Sequence, residues 1–384
     1  MQFPLDPAAA SQTVLWGALL LGLLLGALAQ ASRFCVRGAI ADWALWGHPG
    51  RAVSWLLAVA TGALGVQLLV SLQLFDAARA LPWSPSLQWL SHLAGGLVFG
   101  YGMVLAAGCP QRNLVKAGSG SLRALVVLVV AAVTAAMTLR GLLALPRVNL
   151  LDAWTLSLGG SQDLGAIASR LSGLGAAPLR WLLALALAAA ALALAWRQRA
   201  TLNRWHWAGG IAVGLLVPAA YLLTGFIGFV PEHPETLEPA WLGTQSRRPE
   251  GLSFAAPLAH GLDLLTLWSD KSMAPTFGVL LALGVLLGSF ASAKARGEFK
   301  LESFQSPRDM AAHLVGAVLM GFGGITAVGC SIGQGVTGLA MLSAGAVLTV
   351  AGIIAGALLA LRSRIGHAVA SASPLKNEAL TPAK

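Results

Sequence analysis

Three cysteines are the residues whose type and placement can do chemistry in this chain. Cys35 stands in SRFCVRGAIADW, Cys109 in GCPQRNLVKAGSGSL and Cys330 in GCSIGQGVTGL. Each follows an apolar run and has helix breakers beside it: Gly38, then Gly108 and Pro110, then Gly329, Gly333 and Gly335. Such breakers interrupt a helix and leave backbone N–H groups free. A fresh helix is expected after each break. Its N-terminus carries partial positive charge and unpaired donors, a setting that holds anion oxygens. A thiol contributes a weak S–H donor and a soft, polarizable sulfur. N–H and O–H donors suffice for a sulfate-like ion, so three thiols point to an anion that itself exposes sulfur, such as thiosulfate.

Blander readings stand beside this one. A single free cysteine is often just a small buried hydrophobe. Three of three at loop apices weigh against that, and an odd count leaves one thiol without a disulfide mate. Cu(I) is chemically compatible with three thiolates. No Met or His cluster adjoins the cysteines and no C-x-x-C occurs, so neither a metal nor a cofactor is expected. The expected substrate-binding set is Cys35, Cys109, Cys330, Gly108, Gly329, Arg112, Lys116 and Gln334. Arg112 and Lys116 either draw an anion inward or are plain loop charges, and Arg33 and Arg37 pose the same choice. Gln111, Asn113 and Gln334 either bond substrate oxygens or cap helices. His92 and His313 read as interface-positioning residues in preference to proton relays. Trp16, Trp83, Trp89, Trp205, Trp207 and Trp268 read as interface anchors. No obvious base adjoins a thiol, so no catalytic residue is assigned and the chain is not expected to be an enzyme. The alternative is a membrane sulfurtransferase that takes the sulfane sulfur as a cysteine persulfide.

The elements that must position these residues are membrane spans. Of 384 residues, 57% are hydrophobic and 10% charged, against about 25% charged in a soluble domain. The apolar residues come in runs of about 18 to 24, the length that crosses a ~30 Å hydrocarbon core as helix. The fold class is therefore an all-α polytopic membrane protein of about nine transmembrane helices, near 14–32, 52–74, 91–108, 121–139, 178–196, 207–229, 275–293, 310–328 and 340–361. Forty-five glycines suit close helix packing in lipid. The net charge of +10 resides in short loops and reads as a topology signal, with no nucleic acid as partner. Arg33, Arg37 and Arg51, then Arg197, Arg199 and Arg204, then Lys294, Arg296, Lys300 and Arg308, then Arg362 and Arg364 mark the cytoplasmic segments. The N-terminus then lies outside, in the periplasm, and the C-terminus is cytoplasmic. The first apolar run reads as retained, and the 367–384 tail as a disordered cytoplasmic tail.

An internal repeat orders the spans. HLAGGLVFGYGMVLAAGC (92–109) and HLVGAVLMGFGGITAVGC (313–330) agree at eight of eighteen positions, including a His and the Gly-Cys end. The loop charges send the two copies through the bilayer in opposite directions. A 4+1+4 inverted repeat follows: 14–139, a linker helix at 178–196, and 207–361 with an extracytoplasmic loop at 230–273, all in one transmembrane domain. WGALLLGLLLGALAQASRF (16–34) beside AGGIAVGLLVPAAYLLTGF (208–226) supports it. Transporters built this way hold their site where the halves meet. The Cys-bearing helix-loop elements are expected to dip toward that centre.

At RFCVRGAIADW, GCPQRNLVKAGSGSLRALVV and GCSIGQGVTGL, and at GFVPEHPETLEPAW and WSDKS of the outer loop, the chain resembles the YeeE/YedE sulfur-transport family over nearly all its length. The resemblance implies thiosulfate uptake across the bacterial inner membrane for cysteine synthesis, and an hourglass of inward-dipping helix-loop elements. It implies that Cys35, Cys109 and Cys330 pass thiosulfate along by transient S–H hydrogen bonds without cleaving it. It also implies a small TusA-like sulfur carrier, YeeD, as partner. Other members are linked to selenium metabolism, which keeps a selenium compound or another sulfur compound open as substrate. Pro110 stands where a small residue is expected after this cysteine.

Overall fold

Apolar runs this long have one way to satisfy their backbone in lipid, and the chain takes it by folding as helices. The computed structural model describes residues 6–233, 237–270 and 272–363. In order these form α1 (Pro7–Ser32), α2 (Val36–Trp46), α3 (Gly50–Ser71), α4 (Trp89–Leu105), α5 (Pro110–Gly118), α6 (Leu122–Arg140) and the single turn α7 (Ala144–Pro146). Then come α8 (Leu164–Ser172), α9 (Ala176–Arg197), α10 (Arg204–Tyr221), α11 (Ala255–Thr266), α12 (Phe277–Ala295), α13 (Pro307–Thr326) and α14 (Ala344–Arg362). Two antiparallel two-residue pairings, Ser86–Leu87 with Leu156–Ser157 and Phe229–Val230 with Ala240–Trp241, are the only strands among the described residues.

Nine helical segments among the described residues are long and apolar enough to cross a membrane, as the sequence predicts. The first begins earlier than the expected residue 14, because Pro7 at the first helical position carries the fixed φ of a helix start. The connection between the expected spans 121–139 and 178–196 holds short helices α7 and α8, and the expected 230–273 loop holds α11. The 367–384 tail lies outside the described residues.

Glycine sets the helix contacts. Gly22 of α1 lies on the Leu281 carbonyl of α12, and a methyl group there would stand 2.8 Å from the Gly284 Cα. Gly214 of α10 meets the Ala58 carbonyl of α3 in the same way. Gly95 of α4 abuts Ala327 just past α13, while Gly316 of α13 abuts Ala106 just past α4, so these helices run antiparallel. Gly100 lies on the Ile353 carbonyl of α14, and Gly321 on the Ala131 carbonyl of α6. Without water to expel, dispersion between closely approaching backbones is what joins helices in lipid. Helix α9 packs mainly on α3 and leaves Leu182, Leu185, Leu192 and Trp196 exposed, an apolar face suited to lipid.

The connections gather at two ends. At the basic end, Gln30 donates to Glu298 (3.0 Å), the Leu122 N–H donates to the Glu302 carbonyl (2.8 Å), and Arg296 lies over the Trp205 ring. At the opposite end, Arg180 forks onto Asp163 (2.8 and 2.9 Å), Arg140 pairs with Asp263 (2.5 Å), and Leu164 N–H donates to the Leu342 carbonyl (2.8 Å).

Two expectations change. Trp83 is no interface anchor: it is 4% exposed, donates to the Met341 carbonyl (2.8 Å) and carries the Arg180 guanidinium over its ring. His92 and His313 do not face lipid or water. Both are buried, with His92 Nδ1 2.8 Å from the Thr349 hydroxyl and His313 Nδ1 2.8 Å from the Asp309 carbonyl. A ring nitrogen taken out of water needs such a partner.

Candidate functional site

Each cysteine follows a helix that ends in a left-handed turn. Arg33, Ala107 and Val328 close α1, α4 and α13 with φ of 55°, 52° and 58°. After α4, Gly108 N–H reaches back to the Met103 carbonyl (3.0 Å). After α13, Gly329 N–H reaches the Gly324 carbonyl (2.9 Å). These six-to-one closures satisfy carbonyls that the helix end would leave open. Val328 is β-branched and its turn is strained, so the surrounding contacts hold it there. Gln334 donates to the carbonyls of Val328 (2.9 Å) and Ala327 (3.3 Å), and Asn113 to that of Gly108 (2.9 Å). Lys116 donates to the Ala107 carbonyl (2.6 Å).

Each cysteine then starts the next helical segment. Cys35 caps α2, its sulfur accepting from Gly38 N–H at 3.3 Å. Cys330 accepts from Gly333 N–H at 3.4 Å, at the mouth of a wide π-helical turn, Gly333–Gly338. Cys109 caps α5, and Arg112 N–H faces its sulfur from the same third position, in looser geometry. Pro110 takes the first helical position of α5, where its missing N–H is no loss.

The three thiols are free and buried. Cys109 lies within electrostatic range of both Cys35 and Cys330, and the Ser331 side chain is turned toward it. Beside Cys330, the Phe254 N–H also faces the sulfur. That residue belongs to a stretch of the loop between α10 and α12 that folds inward, held where Thr337 donates to the Leu252 carbonyl (2.9 Å) and Thr224 to that of Glu250 (2.8 Å). Trp55 donates to the Gly335 carbonyl (2.7 Å) and pins the same wall.

Around the thiols lie polar atoms with no hydrogen-bond partner among the described residues: Arg37 Nε, one terminal nitrogen of Arg112, both amide atoms of Gln111 and, apart from its approach to the Cys109 sulfur, Ser331 Oγ. Arg37 is 4% exposed, Gln111 and Ser331 0%. Leaving such groups unpaired costs about 1–3 kcal/mol each, more when charged. Donors of this kind around soft sulfurs suit a small oxyanion that carries sulfur.

The predicted residues thus divide. Cys35, Cys109, Cys330 and Arg112 come together with donors to spare. Lys116 lies in the electrostatic range of Cys35, Arg37 and Arg112 but ties its ammonium to a loop carbonyl. Gln334 and Asn113 take the capping role of the two left open. Gly108 and Gly329 leave room for the Arg112 and Gln334 side chains, whose nearest atoms would be 3.3 Å and 3.1 Å from an added methyl. Ser331 and the inward stretch at 251–254 escaped the sequence reading. A Gly-Leu-Ser-Phe interruption of a polar loop is the trace of that stretch in the sequence, and Ser331 directly follows Cys330.

The helices, with buried thiols and polar side chains among them, define a polytopic membrane protein with polar groups inside its helix bundle. The sequence profile of the Sulphur transport family matches residues 31–359, and the chain belongs to that family. It is 27% identical over 340 residues to the thiosulfate transporter TsuA of Escherichia coli K12, covering 85% of this chain and 87% of that protein. It is 26% identical over 340 residues to the thiosulfate transporter TsuA of Spirochaeta thermophila, covering 86% and 93%. A 114-residue stretch is 30% identical to the probable transporter YedE of Escherichia coli, covering 29% and 26%.

Proposed function

We propose that this protein carries thiosulfate across a bacterial inner membrane, handing the intact ion from thiol to thiol. The observation that carries the reading is the arrangement of the three sulfurs. Cys109 lies within electrostatic range of both others, which supports a path in the order Cys330, Cys109, Cys35. Each sulfur meets a backbone N–H from the third residue onward. That contact occupies sulfur lone pairs and leaves the S–H to donate to a passing anion. An S–H donor is weak, and a permeation path needs stops that release what they bind. The names of the relatives point to the same substrate.

The basic end faces the cytoplasm under the positive-inside rule, so the N-terminus lies outside and the C-terminus inside. An inverted repeat, 14–139 and 207–361 about the linker 178–196, is supported by contacts that exchange under the sequence repeat: Gly95 with Ala327 against Gly316 with Ala106, and Gly100 with Ile353 against Gly321 with Ala131. A small TusA-like carrier is the partner to look for at the basic end.

The test is uptake of radiolabelled thiosulfate into liposomes holding the purified protein. Cys35→Ala, Cys109→Ala and Cys330→Ala are each expected to abolish uptake while still reaching the membrane. Full uptake by the Cys109→Ala/Cys330→Ala double variant would defeat the relay. A persistent extra sulfur on a cysteine, seen by mass spectrometry after exposure, would favour a sulfurtransferase.

A further inference from the structure

The two broken helices are matched in backbone but not in charge. Counting from the cysteine, the third and seventh residues are Arg112 and Lys116 in one copy and Gly333 and Thr337 in the other. Arg37, two residues past Cys35, adds to the first set. Arg37 has Cys35, Arg51, Asp42 and Arg112 in electrostatic range, and Arg112 has Cys35, Arg51, Arg33 and Cys109. Lys116 has Arg112, Arg37, Cys35 and Arg123. The nearby carboxylate, Asp42, is engaged by Arg51 at 3.1 Å. Among the described residues no carboxylate lies within ion-pair distance of Arg37 or Arg112, and each keeps an unpartnered guanidinium nitrogen. Two buried, like-charged guanidiniums within electrostatic range of each other, with no carboxylate paired to either, are costly unless an anion joins them.

We propose that Arg37 and Arg112 form a fixed oxyanion station between Cys109 and Cys35, selective for divalent over monovalent anions, and that the Cys330 side has no equivalent. The proposal rests on the transport reading above and goes further. Thiols recognise the sulfur end on the outer side, and guanidinium forks take the oxygen-rich, doubly charged end on the inner side. Arg rather than Lys suits this, because its planar fork matches paired oxygens. Gln111, two residues past Cys109, also has both amide atoms unpartnered. The station favours a dianion already past the neutral half and recognises any tetrahedral dianion that reaches it from the basic end.

The experiment uses right-side-out membrane vesicles containing the full chain, with thiosulfate uptake as readout. Arg37→Gln is expected to raise the half-saturating thiosulfate concentration about ten- to a hundredfold, the loss typical of a charged hydrogen bond. Arg37→Lys is expected to recover most of that, and Arg199→Gln at the exposed basic end to change nothing. In wild type, sulfate sealed inside the vesicles is expected to inhibit uptake, and sulfate outside to have little effect. Arg37→Gln removes the inner inhibition. No uptake by wild type would sink the transport reading itself. Wild-type uptake with an unchanged half-saturation in Arg37→Gln would sink only the station. Should Arg37→Gln fail to reach the membrane, the sulfate arms in wild type decide: equal inhibition from both sides overturns the proposal.

Discussion

Cys330 does two jobs that substitution can separate. Its sulfur caps a helical segment and its S–H is free to donate. Cys330→Ala leaves Gly333 N–H without its acceptor, now 3.4 Å away, in a site where Cys330 is 0% exposed. The orphaned donor costs about 1–3 kcal/mol, and the missing sulfur leaves a small void worth ~1 kcal/mol more. Cys330→Ser keeps an acceptor, and serine is a good N-cap, so stability is expected to stay within about 0.5 kcal/mol of wild type. Transport separates the two variants differently. A hydroxyl donates more strongly than a thiol, by about 1 kcal/mol at an anion, so Cys330→Ser should hold the ion longer. Its maximal rate should fall about fivefold while its half-saturating concentration falls too, whereas Cys330→Ala loses uptake altogether. Thermal unfolding in detergent reads the first effect and initial rates over a thiosulfate series read the second. A Cys330→Ser protein faster than wild type, or a Cys330→Ala protein of equal rate, refutes the view that a weak donor at this position sets release.

Other consequences concern the scaffold. Gly316→Val places its first side-chain carbon 2.7 Å from the Gly102 carbonyl oxygen and 2.8 Å from Leu105 Cβ, and should destabilise the α4–α13 contact by about 3 kcal/mol. Gly261→Ala, with open space around it, should be neutral or slightly stabilising, and equal unfolding midpoints for the two would contradict this. Asp163 is 0% exposed in its pair with Arg180. Burial pushes its carboxyl up, but bonds from Arg180, Ser161 and the Ala166 N–H outweigh burial, and the net pKa is lowered. The pair's contribution is therefore full above the ordinary carboxylate pKa and fades as pH falls through the lowered one. Asp163→Asn should lose about 3 kcal/mol at pH 7, with the gap to wild type closing in strong acid. A gap independent of pH would argue against it.

What the sequence conveyed follows from where the information lies. Spans were legible because lipid demands about twenty apolar residues in a row, and the cysteine loops because Gly and Pro announce breaks locally. Trp83 was misread because its partners, Met341 and Arg180, are remote in the chain. Gln111, Asn113 and Gln334 look alike in sequence. Only packing shows that two of them tie down loop carbonyls while Gln111 is left with donors and acceptors open. The inward fold of residues 251–254 depends on Thr224 and Thr337, and no periodicity encodes it.

A crystal grown with thiosulfate, measured for anomalous scattering from sulfur, addresses the shared thiol path most directly. Peaks from the ion in contact with the Cys330, Cys109 or Cys35 sulfurs, its oxygens turned to Gln111, Arg37 or Arg112, are the expected result. Ion density confined to sites remote from all three sulfurs, in protein that transports thiosulfate, would contradict it.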